Sequence, residues 1–113
     1  MGGIKENSLA MGKIQTRPLG FKIPPKIRIS GRISYQVVFQ DEIRGNPNLM
    51  GLAEPNERMI YIKIGMSERD TFKTLLHEVI HCIEFESETP IPERITETLE
   101  EGIFKVLKLN KIL

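Results

Sequence analysis

The chain has no tryptophan, a single cysteine and two histidines among its 113 residues. With one cysteine it cannot form an intrachain disulfide, which excludes a small secreted fold stapled by such bonds. Aromatic residues make up 6% of the chain, so the core must be assembled mainly from Ile, Leu, Val and Met. Neither sign of charge dominates, with 16 Lys+Arg against 15 Asp+Glu. A nucleic-acid binder normally concentrates a basic face. Here the densest cluster is Lys22, Lys26, Arg28 and Arg32, in a stretch patterned as strand, and no nucleic-acid partner is expected. No apolar run approaches the roughly 20 residues that a membrane-spanning helix needs. Met1 to Ala10 lacks the continuous apolar segment of a signal peptide. These absences point to a cytoplasmic protein without a membrane partner.

What is present suffices for one domain. Residues 1–25 are broken by Gly2, Gly3, Gly12, Pro18, Gly20, Pro24 and Pro25 and show no sustained periodicity, so they read as an N-terminal tail ahead of a domain over 26–113. Apolar residues then recur largely at every second position: Ile27, Ile29, Ile33, Tyr35, Val37 and Phe39. This predicts strands over 26–30 and 32–40 with a turn at Gly31-Arg32. Gly45, Asn46 and Pro47 mark a loop. Segments 49–54 and 58–64 are separated by the turn Glu54-Pro55-Asn56-Glu57 and should pair as a hairpin, the second carrying the strongest strand signal in the chain.

Ser67 is a good helix N-cap, with Asp70 three residues on. Phe72, Leu75, Leu76, Val79, Ile80 and Ile83 then give an apolar stripe at helical spacing, predicting a helix over 68–85. Thr89-Pro90-Ile91-Pro92 breaks the chain before a second helix over 92–109. The expected fold class is α+β: a small antiparallel or mixed sheet of three to four strands, then a site-bearing helix and a C-terminal glutamate-bearing helix.

Both histidines lie in the run His77-Glu78-Val79-Ile80-His81. Four residues apart on a helix, their imidazoles share a face about one turn apart and can reach one metal ion. Glu78 sits beside the first histidine. In such a site the two rings are neutral ligands, while the carboxylate takes a proton from a metal-bound water and passes it to a leaving amine. The expectation is a metal site of the zinc type with Glu78 as catalytic base and a peptide or protein as substrate.

Catalytic zinc usually takes three protein ligands. No third histidine exists, and Cys82 points about 100° away from His81 around the helix, which suits a small core residue better. The second helix offers Glu93, Glu97, Glu100 and Glu101. Glu97 and Glu101 share a face, which allows Glu97 to bind metal while Glu101 accepts a hydrogen bond from a ligand histidine. Glu100, next to the apolar stripe, is not excluded by spacing.

The motif followed by a glutamate on the next helix resembles the gluzincin clan of zinc peptidases, to which thermolysin belongs. Thr96-Glu97-Thr98-Leu99-Glu100-Glu101 is similar to the clan's Glu-x-x-x-Asp pattern, with a Glu in place of the Asp. The runs Leu75 to Phe85 and Glu97 to Asn110 also look like small bacteriophage-encoded and bacterial metallopeptidase-like proteins of minimal, zincin-like build. The resemblance covers roughly 49–110 and implies His77, His81 and Glu97 as zinc ligands, Glu78 as general base and Glu101 as the partner of a ligand. A second alignment sets Leu99-Glu100-Glu101-Gly102 against the Leu-Asn-Glu-Gly of zinc aminopeptidases, which makes Glu101 the ligand. The implied activity is zinc-dependent peptide hydrolysis. The substrate would lie extended along a strand within 49–64, and Tyr61 is a candidate to steady the oxyanion. The competing expectation is a zinc-binding module of the same fold that does not cleave.

Overall fold

The structure, a computed structural model, describes residues 23–113. Most of the tail expected over 1–25 thus lies outside the described residues. Ile23, within that stretch, already packs against the core, and the Pro25 carbonyl accepts from the Val37 N–H, so the folded part begins before the first strand.

The element order is β1 (Lys26–Ser30), β2 (Ile33–Gln40), β3 (Gly51–Glu54), β4 (Met59–Lys63), α1 (Glu68–Ser87) and α2 (Glu93–Leu109). It is the α+β arrangement expected from the periodicities. The four strands form one mixed sheet in the order β1-β2-β4-β3. The β1/β2 and β3/β4 pairs are the antiparallel hairpins expected from the turn residues. Between them, β2 and β4 run parallel, Gln36 opposite Met59 through Gln40 opposite Lys63. This leaves β3 at one edge of the sheet.

Tyr35, Ala53, Ile60 and Ile62 of the sheet meet Leu75 and Cys82 of α1 in the core, with Val37 and Val79 packed around them. Cys82 is fully buried, and burial pushes its thiol up to about 12, so it is the core residue its helical position implied. Ser67 caps α1 by accepting the Asp70 N–H at 3.1 Å. At its far end the helix stops with Glu88 in the left-handed conformation. Tyr35 donates to Glu86 at 2.7 Å, and Arg58 approaches the same carboxylate at 3.6 Å, so the C-terminal turn of α1 is tied to the sheet. α2 packs on α1 alone among the described elements, which places α1 between the sheet and α2.

Candidate metal centre

α1 presents one side to the sheet and the other to α2, so both imidazoles lie on the flank between them. The His77 and His81 ring centroids are 4.8 Å apart, nearly perpendicular to one another. Their Nε2 atoms converge on the carboxylate of Glu93, His77 on Oε2 at 3.0 Å and His81 on Oε1 at 3.5 Å. Ligand atoms about 2.0–2.1 Å from a tetrahedral zinc lie about 3.4 Å apart by geometry. The observed separations bracket that value, so His77, His81 and Glu93 form a group that can hold a metal ion.

The other ring nitrogens are occupied. His77 Nδ1 meets Glu100 at 2.9 Å, and His81 Nδ1 meets Glu84 at 3.1 Å. A carboxylate on Nδ1 fixes the tautomer that leaves Nε2 as the metal-facing lone pair. Burial alone would lower the His77 pKa. The hydrogen bond to Glu100 and the charges of Glu78, Glu93 and Glu100 outweigh it and hold the ring above its ordinary value. Glu84 is held below the usual carboxylate range, first by the Ile91 N–H and then by His81.

Glu78 is 7% exposed. Burial raises its pKa, against the opposing pull of the two histidines and of the Ala53 backbone N–H. Met50 accepts the Lys63 N–H, so positions 50, 52 and 54 face β4, and 51 and 53 turn their peptide groups to the open edge. The bond from Ala53 to Glu78 fits that register. Gly51 lies closer still. A Cβ there would come 2.9 Å from Glu78 Oε2 and 2.5 Å from Thr74 Cγ2, so only glycine lets the edge strand approach α1 at this point. Gly51, Leu52 and Ala53 form one wall of a pocket of about 320 Å³, and His77, Glu78, His81 and Phe85 form the other.

Of the expected site residues, the structure brings His77, Glu78 and His81 together. It does not bring Glu97 or Glu101 to them. Glu97 is exposed and lies outside the His77/His81/Glu93 group. Glu101 pairs instead with Lys73 and, at 3.8 Å, with Arg69. Glu93 stands beside both rings in their place, and Glu100 lies against His77 Nδ1. The cause lies in the link between the helices. Glu84 accepts the Ile91 N–H at 3.0 Å, which folds the turn back over α1 and sets the first residue of α2 beside His81. Glu93, Glu97 and Glu100 share one helix face at spacings of four and three, so periodicity alone cannot choose among them. Glu84 had a discernible signal, since it stands three residues beyond His81 on the same helix.

Tyr61 is not part of the site. Its hydroxyl bonds Glu57 and the Met59 sulfur, each at 3.2 Å, under the Arg44 guanidinium, and it does not line the pocket. Among the described residues no helix is long and apolar enough to cross a membrane. No protein-family model, curated protein or solved structure matches this chain.

Proposed function

We propose that the protein is a zinc-dependent peptidase in which Glu78 is the general base and His77, His81 and Glu93 hold the metal. The observation that carries this reading is the convergence of two imidazole Nε2 atoms on one carboxylate, beside a buried second carboxylate, at the mouth of a pocket walled by an edge strand. Two neutral nitrogens and one carboxylate suit zinc among the common divalent ions. Zinc bound there would supply a Lewis acid for the scissile carbonyl and make water acidic enough to act near neutral pH.

The remaining work falls to the chain. Glu78 has its basicity raised by burial, as a base that must hold a proton briefly and then release it to the leaving amine requires. The Ala53 N–H holds that carboxylate in place. The open edge of β3 offers the peptide groups of Gly51 and the carbonyl of Ala53 to an extended substrate, so main-chain pairing would align a peptide across the pocket. Phe85, whose ring lies 6.3 Å from that of His81, gives the pocket an apolar wall for one substrate side chain.

The test uses purified full-length protein with stoichiometric zinc and an unfolded protein such as casein. Cleavage should appear, vanish with chelator and return with zinc. Glu78→Gln should bind zinc as tightly as the parent and cleave nothing. Stoichiometric zinc without chelator-sensitive cleavage would replace this reading with a non-catalytic metal-binding module, and failure to retain zinc would remove both.

A further inference from the structure

Pro90 and Pro92 have no N–H, so Ile91 supplies the only backbone donor in the run Pro90-Ile91-Pro92. That donor goes to Glu84 Oε2 at 3.0 Å. The other oxygen of the same carboxylate, Oε1, lies 3.1 Å from His81 Nδ1. The main-chain carbonyl of Glu84 also accepts the Thr89 N–H at 3.2 Å. Residue 84 thus holds the link between the helices at two points and a proposed ligand ring at a third. The link itself is stiff. Each proline fixes its own φ and disfavours the helical region for the residue before it. Pro92 is the N-cap of α2 and Glu93 its first residue. The bonded amide of Ile91 is therefore two residues from the carboxylate that meets both histidines, with a proline between them.

Apolar burial seats α2 only lightly. It packs on α1 alone among the described elements, Ile95, Phe104 and Leu107 are half-buried, and Thr96 is its one buried residue. The Thr96 hydroxyl is buried with no hydrogen-bond partner among the described residues, which opposes docking. Its polar contacts with α1 are Glu101 on Lys73 and Arg69, Glu100 on His77, and Glu93 on both histidines. A helix with few buried apolar contacts lies at the low-stability end of a fold. Three of those polar contacts meet at His77 and His81, so an ion held by the two rings and Glu93 would join α1 to α2 directly.

We infer that Glu84 is a positioning residue that couples metal occupancy to the seating of α2, one oxygen orienting His81 and the other holding the link that delivers Glu93. The inference rests on the metal centre of the proposed function and not on cleavage. With Glu84 in place, the His81 ring and the start of α2 are held to one carboxylate and reach the ion together. Without it, each is free of the other. By linkage, whatever seats the 88–92 link raises metal affinity, and bound metal in return holds the link and α2 against α1. Ile91 is not itself a ligand, and its N–H alone carries the effect from the link to the site.

The test uses the full-length protein and three readouts: zinc affinity by chelator competition, amide hydrogen exchange with and without zinc, and urea unfolding of the metal-free form. Ile91→Pro deletes the N–H and leaves Glu84 and every proposed ligand in place. It should weaken zinc about 10–100-fold, as loss of an outer partner of a ligand does. Glu84→Gln keeps the side chain's size but offers one oxygen and a donor where two acceptors are needed, so it should weaken zinc comparably. Both act through one bond, so the double variant should bind zinc no more weakly than Glu84→Gln alone. In the parent, zinc should slow exchange across 93–109, and in Ile91→Pro that slowing should shrink. A bond that serves stability alone would lower the urea midpoint of the metal-free variants and leave zinc affinity unchanged, which overturns the inference. Zinc that leaves exchange over 93–109 unchanged in the parent also overturns it. Should Ile91→Pro lose the parent's far-UV circular dichroism, Glu84→Gln and the parent's exchange decide by the same criteria. Zinc binding with both effects but without cleavage removes the peptidase reading and leaves the coupling standing, whereas a parent that binds no zinc removes both.

Discussion

Replacing Gly51 by alanine should damage this protein through two contacts and spare the rest of the fold. The new Cβ would stand 2.5 Å from Thr74 Cγ2, 2.9 Å from Glu78 Oε2 and 3.0 Å from Glu78 Cγ. Carbon pairs rest at about 3.5–4.0 Å, so the overlap with Thr74 is about an ångström. Thr74 lies within α1, where a β-branched side chain has little rotamer freedom. Glu78 is held by the Ala53 N–H. Relief therefore requires a shift of β3 against α1, an overpacking that costs about 1–3 kcal/mol. Loss of the glycine's freedom in the unfolded chain returns about 0.4–1 kcal/mol. The net loss is on the order of 1–2 kcal/mol, a fall in Tm of roughly 5–15 °C for a domain of this size. Urea unfolding of the metal-free protein would show it as a lower midpoint at unchanged slope. Thr74→Ser deletes the clashing methyl, so the double variant should recover more than about 0.5 kcal/mol beyond additivity. Cleavage should fall further than stability, since Glu78 is displaced as well. A Gly51→Ala protein as stable as the parent, or a double variant that is merely additive, would refute the close approach of β3 to α1.

Other expectations follow from the same geometry. Glu93→Ala should abolish stoichiometric zinc retention on dialysis whereas Glu97→Ala should leave it intact; the reverse result would restore Glu97 as the ligand. Glu84→Ala and Glu100→Ala should each weaken zinc binding about 10–100-fold in chelator competition, and unchanged affinity in both would show that the histidines need no orienting carboxylates. In the metal-free protein the raised His77 pKa contributes stability that is complete below the unfolded value near ~6.5 and is lost as pH rises through the folded value. The raised Glu78 pKa acts in the same direction at the acid end, because its protonated form is the one favoured by folding. Metal-free melting temperature should thus fall as pH increases above ~6.5, while the stabilisation gained from zinc should grow, since His77 must lose its proton to bind. Metal-free melting that rises over that interval would contradict the environment described for His77.

Much of this protein was fixed by local pattern. Alternation at every second residue marked the strands, and the turn residues Gly31 and Glu54–Glu57 marked both hairpins. Ser67 and the 3.6-residue stripe marked α1 and placed His77 and His81 on one side of it. These signals are legible because each depends on neighbours within a few residues. The parallel pairing of β2 with β4 was not legible, because it depends on how two hairpins join across a shared core and has no turn of its own. The choice of Glu93 over Glu97, and of Glu100 over Glu101, was not legible either. All four project from one helix, and the selection is made by the fold of the 88–92 turn onto Glu84 and by the capture of Glu101 by Lys73. Sequence thus determined which residue types were on offer at the site. Only the packing of α2 on α1, through contacts between residues far apart in the chain, decided which of them arrive there.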